Sequence, residues 1–517
     1  MNIWQDILTT ALVGTERKTL TPIPPTNQLS EILSQLNYSD SEGALLSAAA
    51  IISLYQKAGQ IPVTDNQPLP TPCQTDNNSS CSPLTAQYLK VILLKERQQL
   101  LPEWLAAAAR KEVPAYCLPE LLELGRTSPH LRLAIMSVLG KRGRWLAAQN
   151  PEWDFVVGED IEITWQTGSS AARQLLFQQL RTENTAAALE KLTKIWAEEK
   201  PDQQLAFLEI FQTGLNMDDE PFLETALDDE CQKIRQKAAE LLAHLPESRL
   251  SQRMAKRVTS ALTIKQNRNR LHLDFNLPKD SDEGMKRDGI DGNNPPKLLG
   301  EKAWEILQMV ASTPLSLWSE INGVSPTEWI QAAKRSEWDR TLVDAWVVAA
   351  LRQKNPDWAE VLLSIHTNFN GYLVNNDKSI QGLINALTPE RQNIFFLNLV
   401  QSKKTVFDSK NPAFYLLRHY RYPWSTEFTM AVIKSLEYHL NKTTNHYDWA
   451  LRSAFKDFAC YMPLSIVPEI SVSLPNIVPQ YVSWASFWTE AIDEFLVLLN
   501  FRIEMLKEFQ ITPFQSL

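Results

Sequence analysis

The sequence predicts an all-α protein, built as an irregular α-solenoid of helical hairpins. Only 16 of the 517 residues are glycine, roughly half the usual frequency of about 7%, whereas folds with many tight turns need glycine for positive φ angles. Apolar residues recur at spacings of three and four residues along most of the chain, as they do on amphipathic helices. No segment shows a sustained alternation of apolar and polar residues, so we expect little or no sheet. The patch Trp153–Trp165 is the one place where short strands would fit.

The middle of the chain shows the clearest periodicity. Helical stretches repeat in pairs with a period of roughly thirty residues, which is typical of helical-hairpin repeats. Their predicted starts lie near Ser169, Asn184, Pro201, Asp218, Cys231 and Ser248. The best copy, Leu227–Met254, resembles a HEAT repeat. HEAT repeats commonly pair an aspartate in the turn with an arginine just after the first helix turn, and Asp229 and Arg235 match those places.

The domain organisation follows from composition. Residues 275–300 are rich in Pro, Gly, Asp and Asn, which indicates a mobile linker or a large loop. We therefore divide the chain into an N-terminal helical region at 1–150, HEAT-like helical repeats at 151–274, the linker at 275–300, and a C-terminal helical region at 301–517. The stretch 61–83 is predicted to be a long exposed loop. The apolar run at about 481–509 fits a closing helix better than a self-association surface.

Charge is unevenly distributed within the repeats. Residues 201–230 contain nine acidic and no basic residues, whereas 233–270 contain ten basic residues against two acidic ones. Arg249, Arg253, Lys256 and Arg257 fall one helix turn apart and are our candidate partner-binding residues. They would form a solvated outer face, a docking surface for an acidic protein partner, or, less readily, a nucleic-acid contact.

A second candidate contact follows the first predicted helix, which covers residues 1–13. Gly14 fits the end of that helix, where a left-handed conformation carries no Cβ clash. The next three residues, Thr15, Glu16 and Arg17, place three hydrogen-bonding side chains in one loop. They are either an ordinary turn or a functional contact.

The sequence contains no motif that requires a particular chemistry. Phosphate-binding glycine loops, zinc-protease motifs, nucleophile elbows and calcium-binding loops are absent from it. The five cysteines are widely spaced and form no CxxC pair, so we predict no cofactor and no metal. The net charge of −9 and the pI near 5.5 disfavour generic nucleic-acid binding. The N-terminus lacks the features of a signal peptide, so we expect a cytoplasmic protein.

Several motifs together resemble a known bacterial family. They are ALVGTERK near the N-terminus, GRWLAAQNPEW at 143–153, DEPFLETALDDE at 219–230 followed by RQKAAELLAHLPESRLSQRM, and PWS at 423–425. The set is similar to a domain-of-unknown-function family of large helical proteins with ALLGTER and LLARLP motifs. Genes of that family tend to lie beside those for SWIM zinc-finger proteins, MoxR-type AAA ATPases and von Willebrand factor A-domain proteins. The resemblance implies a helical adaptor in an ATPase-linked assembly and supplies no catalytic residues.

These observations favour a non-catalytic helical-repeat adaptor or scaffold that binds protein partners, without identifying the partner or the oligomeric state. One alternative is an enzyme with a dispersed site, which predicts a concave polar pocket with perturbed ionisable groups. The other is a nucleic-acid-associated protein that uses the basic stretch 249–270. It predicts binding that weakens steeply as salt rises.

Overall fold

The computed structural model describes most of the chain. Its described residues run from 3 to 509, except for 23, 59–69, 76–78, 95–96, 110, 157–160, 268–269, 277–282, 291–294, 297–298, 322, 367–376, 403–410, 443–446 and 480. The chain divides into two compact units, Met1–Pro72 and Cys73–Leu517. The boundaries at 150, 274 and 300 that composition favours all fall inside the second unit, and they stay predictions.

The first unit contains three helices: α1 (Ile3–Val13), α2 (Gln28–Ser34) and α3 (Ser41–Ala58). Its small core is formed by the apolar faces of these helices, with Ile7, Leu33, Ala48 and Ile52 buried. The Asn27 side chain accepts a hydrogen bond from the Ser30 backbone N–H and so fixes the start of α2.

The second unit is also helical. Its first half contains α4 (Pro83–Leu93), α5 (Leu101–Ala107), α6 (Leu118–Thr127), α7 (Arg132–Ala148), α8 (Ile161–Thr167), α9 (Ser170–Glu183), α10 (Thr185–Ile195), α11 (Pro201–Ile210), α12 (Glu220–Ala226), α13 (Gln232–Leu242) and α14 (Arg249–Ala261). Two strands follow, β1 (Leu262–Asn267) and β2 (Arg270–Phe275). The second half contains α15 (Glu283–Arg287), α16 (Glu301–Ala311), α17 (Leu315–Glu320), α18 (Pro326–Ala333), α19 (Asp339–Gln353), α20 (Pro356–His366), α21 (Asp377–Asn385), α22 (Pro389–Ser402), α23 (Pro412–His419), α24 (Thr426–Lys442), α25 (Trp449–Phe458), α26 (Val467–Ser473) and α27 (Ala485–Lys507).

The helix starts predicted in the middle of the chain are confirmed to within about two residues. Ser169, Asn184 and Ser248 each sit at the N-cap, where the side-chain oxygen accepts a backbone N–H of the first turn. Pro201 occupies the first turn of α11, where its missing N–H has no intrahelical partner to lose. The all-α prediction is thus correct for the described residues, apart from one hairpin.

That hairpin lies where no strand was expected. β1 and β2 pair antiparallel, with Leu262 opposite Phe275 and Ile264 opposite Leu273. The prediction of strands at 153–165 is wrong: Trp153 ends a 3₁₀ turn and α8 begins at Ile161, while 157–160 lie outside the described residues. The signal for the hairpin was the alternation of apolar residues on each side of the NRNR stretch.

The last helix packs against the start of the second unit, as expected of a closing helix. The Arg502 guanidinium lies 2.7 Å from the Glu103 carboxylate and also donates to the carbonyl oxygens of Ala459 and Met462. Just beyond the end of α27, the Phe509 ring meets the Trp104 ring edge to face at 5.7 Å. Residues about 400 positions apart are therefore held together by a half-buried ion pair and an aromatic contact.

Four tryptophans of the C-terminal half are packing residues, as predicted. Trp318, Trp329, Trp346 and Trp358 are buried, and ring centroids lie 5.1 to 5.2 Å apart in the pairs 318–329, 318–346 and 346–358. Aromatic pairs at such distances add to the burial of apolar surface between helices. Among the described helices, none combines the length and the apolarity that crossing a bilayer requires.

Two predicted loops fall partly outside the described residues. In the stretch 61–83, residues 61–69 and 76–78 lie outside the described part of the chain. In the segment 275–300, residues 277–282, 291–294 and 297–298 do so. Within the described part of the second segment, Glu283–Ile290 packs against α13 and α14 and is not a solvated linker. Met285, Asp288 and Ile290 are all buried there.

Candidate functional site

The predicted basic row lies on α14. Ser248 caps this helix, and Arg249, Arg253 and Arg257 follow at spacings of four, which places their side chains on one face. On the adjacent face Leu250, Met254 and Val258 are buried in the core. These buried residues fix the helix on the core, and its arginines point towards neighbouring segments.

Helix α12 supplies carboxylates in matching positions. The Arg249 guanidinium donates two hydrogen bonds to the Glu220 carboxylate, at 2.7 and 2.9 Å. Arg253 lies 2.9 Å from the Glu224 carboxylate, one turn further along both helices. The hydrogen bond from Arg249 holds the pKa of Glu220 below its usual value. The charge asymmetry of the sequence thus reflects, in part, acids and bases that pair within the chain.

A third carboxylate comes from the segment Glu283–Ile290, which we call the docked segment. The Asp288 carboxylate lies 2.7 Å from the Arg253 guanidinium and 2.7 Å from that of Arg257. Its side chain is only 2% exposed. The neighbouring Arg287 lies 2.6 Å from Asp228 at the end of α12. One acidic residue of the docked segment is therefore clamped between two guanidinium groups of α14.

Apolar contacts hold the docked segment on both sides of Asp288. Met285 and Ile290 are 3% and 2% exposed, so each buries nearly its whole side chain. Gly289 has a φ of +82°, and a Cβ at this position would come within 2.8 Å of the Ala239 Cβ. Glycine is therefore required both by the backbone conformation and by the close approach to α13.

A cleft of about 540 Å³ borders the docked segment. Helices α13, α16 and α19 line it, and its wall combines apolar side chains such as Trp304 with the polar residues Glu240, Asp344 and Arg352. Behind this wall, the His244 ring Nδ1 lies 2.8 Å from the carbonyl oxygen of Arg352. Burial, together with the charge of Arg352, lowers the pKa of His244 to about 4, so this imidazole is neutral at physiological pH. A cleft of this size and mixed polarity suits the binding of a peptide or a small molecule.

The comparison with protein families identifies a family and leaves the activity open. Residues 6–509 match DUF5691, described as a family of unknown function. The chain belongs to this family. No curated protein and no solved structure matches the chain.

The remaining candidate residues of the DUF5691 chain are Lys256 on α14 and the three residues that follow Gly14. Lys256 is exposed, and its side chain forms no recorded ion pair with any other described residue. Thr15, Glu16 and Arg17 form a turn after α1, closed by hydrogen bonds from the backbone N–H groups of residues 17 and 18 to the Gly14 carbonyl. Glu16 and Arg17 are exposed and Thr15 is half-buried. This turn lies in the first unit and α14 in the second, so we treat the two as separate candidates.

The expected aspartate–arginine ladder takes a different form in this DUF5691 member. Arg235 donates to the carbonyl oxygens of Asp229 and Glu230, at 2.7 and 2.9 Å. The Asp229 carboxylate instead accepts the Cys231 backbone N–H at 2.8 Å. The Arg235 side chain thus stabilises the turn by hydrogen bonds to the backbone carbonyl groups of the turn. Arg173, which has no preceding aspartate, pairs with Glu199.

Sequence patterns did not reveal the most deeply buried ion pair. Arg181 on α9 and Asp219 have side chains that are 0% and 1% exposed, and their closest atoms lie 2.6 Å apart. Arg181 also donates to the carbonyl oxygen of Thr213 at 2.9 Å and lies over the Phe211 ring. This pair is structural, because neither side chain is accessible to a ligand.

Proposed function

We propose that the chain is a non-catalytic, cytoplasmic adaptor with HEAT-like repeats, which binds a protein partner by clamping an acidic segment of that partner on α14. The partner segment would take the place of the docked segment. In this proposal the arginines of α14 pair either with Asp288 of the same chain or with a carboxylate of the partner. Exposed Lys256 would contribute a further favourable charge.

One observation carries the proposal: the clamp on Asp288. The docked segment combines a carboxylate held by two arginines with buried apolar residues on both sides. This is how a linear peptide binds to a helical surface, with side-chain pockets that give affinity and charge pairs that fix the register. Asp288 is also separated from Arg253 by 35 positions in sequence, so the contact is between separate segments. The adjoining cleft offers room for a longer partner segment.

The direct test supplies the docked segment in trans. A full-length variant carries a Gly/Ser stretch of equal length in place of residues 283–290, and a labelled synthetic peptide EGMKRDGI is titrated into it. We expect saturable binding by fluorescence anisotropy, with much weaker binding to the unaltered chain, whose clamp is occupied. The matched control is the same peptide with Asp288→Asn, which should lose at least about tenfold in affinity because a charged hydrogen-bond acceptor is removed.

The partner itself is identified by a tagged pull-down from the native host, at low and moderate salt and with nuclease. The family resemblance leads us to propose a MoxR-type AAA ATPase or a von Willebrand factor A-domain protein. Lys256→Glu should weaken recovery of the partner, and Asp288→Asn should strengthen it by opening the clamp. If the Gly/Ser variant is helical but binds no peptide, or if the Asn peptide binds equally well, the clamp is only a structural contact.

Lys256 is the appropriate site for charge reversal. Reversing Arg253 or Arg257 would place a second carboxylate beside that of Asp288 and destabilise the fold, so a loss of binding there would have two causes. Lys256→Glu should leave the melting temperature unchanged. The nuclease arm also tests the nucleic-acid alternative, which predicts recovery that disappears on digestion.

A further inference from the structure

A second, smaller cleft lies elsewhere in the second unit. It has a volume of about 260 Å³ and is formed by the ends of α23 and α25, the start of α21 and the 3₁₀ turn at Gln98–Leu100. Unlike the cleft beside α14, it is lined mainly by side chains with polar groups. Its charged and ionisable members are Asp377, Tyr415, Arg418, His419, Arg421, Asp457, Cys460 and Tyr461.

Three of these residues, Asp377, Tyr415 and His419, are already bonded to one another. The His419 Nε2 lies 3.2 Å from the Asp377 carboxylate, while its Nδ1 lies 2.8 Å from the Tyr415 carbonyl oxygen. The Tyr415 hydroxyl donates to the same Asp377 carboxylate. The negative charge of Asp377 is therefore engaged with its neighbours, and both nitrogens of His419 have partners.

The two arginines are in a different situation. Arg418 and Arg421 are exposed at the cleft, and neither guanidinium forms an ion pair or hydrogen bond with another residue of the described chain. This contrasts with Arg253 and Arg257, each of which already holds a carboxylate. A guanidinium group carries five N–H donors in a planar fork that matches the oxygens of a carboxylate or phosphate. Arg418 and Arg421, three residues apart in sequence, thus line the same cleft with two such guanidinium groups.

Two of the remaining ionisable side chains of the cleft, Cys460 and Tyr461, retain their protons at neutral pH. Burial raises the pKa of Cys460 to about 12 and raises the pKa of Tyr461. Burial likewise raises the pKa of the Asp457 carboxyl group, against the opposing effect of the two arginines. A protonated thiol is a poor nucleophile, so this cleft is better suited to binding than to covalent chemistry. The guanidinium groups of Arg418 and Arg421 supply the positive charge that would attract an anion to this cleft.

We propose that this cleft binds a small oxyanion, the phosphate or carboxylate group of a small molecule, between the guanidinium groups of Arg418 and Arg421. The volume of about 260 Å³ is below the range typical of drug-sized ligands, about 300–1,000 Å³, so the ligand is a compact one. The site lies on other helices than α14, and its test is independent of the adaptor proposal.

The test uses isothermal titration calorimetry on the full chain with two probes, inorganic phosphate and malonate. We expect saturable binding of at least one probe, and a loss of about tenfold or more in affinity for both Arg418→Gln and Arg421→Gln, because each removes a charge-assisted fork. Arg335→Gln is the matched control, since Arg335 is also exposed. It should bind as the unaltered chain does.

The two probes distinguish the sources of the oxyanion. Tighter binding of phosphate assigns the site to a phosphate ester, and tighter binding of malonate assigns it to a carboxylate ligand. Crystals soaked in tungstate provide a second measurement, with an anomalous peak expected between the two arginines. Absence of saturable binding for both probes, or binding that survives both substitutions, would overturn the proposal.

Discussion

Two ion-pair regions of the second unit differ in how far water reaches them. The Arg181–Asp219 pair is sealed in the core, with exposures of 0% and 1%. The pairs along α14 range from Asp288, 2% exposed between partially exposed arginines, to Arg249, which is 59% exposed and pairs with Glu220. All are arginine–carboxylate pairs with similar distances. The solvent exposure of each pair therefore determines how much that pair contributes to the stability of the fold.

This difference in exposure separates ion pairs that only stabilise the fold from ion pairs whose members can exchange partners. Removing one member of a buried pair leaves a charge without compensation in a medium of low polarity. A pair at the surface exchanges its partner for water at little cost. The clamp on Asp288 is intermediate, because a buried carboxylate meets arginines that water still reaches. This is the property required of a surface that is occupied in one state and available to a partner in another.

The largest effect is expected at Asp219. Asp219→Asn removes the charge that compensates Arg181 and should lower the free energy of unfolding by about 3–5 kcal/mol, measured by urea denaturation followed by circular dichroism at pH 7. The control is Asp218→Asn, the same substitution at the preceding and exposed position. A difference of less than about 1 kcal/mol between the two variants would mean that the buried pair is no more important than a surface one.

The sequence predicted the helices far better than these pairings. Helix starts at Ser169, Asn184 and Ser248 depend on the side chain of the cap and the first turn, and such local signals are visible in a short window. Arg181 and Asp219 are 38 positions apart, and nothing in either local pattern identifies the other. Because the carboxylates that pair with α14 are also distant in sequence, the sequence of α14 alone predicted a basic docking surface.

The docked segment was the least predictable part of the site. Its Pro, Gly, Asp and Asn content favours a mobile linker or a large loop. Asp288 and Ile290 are buried instead. Because the segment is stabilised by contacts with α13 and α14, its composition does not report its environment. The hairpin, in contrast, was visible in the alternation around residue 268 and was missed.

The clamp should show an intermediate effect. Asp288→Asn weakens the charge-assisted hydrogen bonds to Arg253 and Arg257, and should cost about 2 kcal/mol. Hydrogen exchange measured by mass spectrometry should show the loss of protection concentrated in residues 283–290 and leave α9 unaffected. Glu283→Gln is the control in the same segment, since its side chain is 91% exposed. A loss of protection that spreads equally to α9 would show that the segment belongs to the cooperative core.

The smallest effect is expected at Arg249, because this arginine is 59% exposed although its partner Glu220 is largely buried. Arg249→Gln should lower the urea midpoint less than either preceding variant, and the difference from the unaltered chain should vanish near 1 M salt, where the screening length is about 3 Å. The pKa of Glu220 is lowered by this arginine, so its contribution is present above the ordinary value of 4.5 and is lost as the pH falls through the lowered one. Denaturation series at several pH values should therefore converge for the two proteins in acid. Lys256→Gln, which removes an exposed charge on the same helix, should show no such convergence. A salt-insensitive loss at Arg249 would place this pair with Arg181 and Asp219, as a structural contact that no partner could displace.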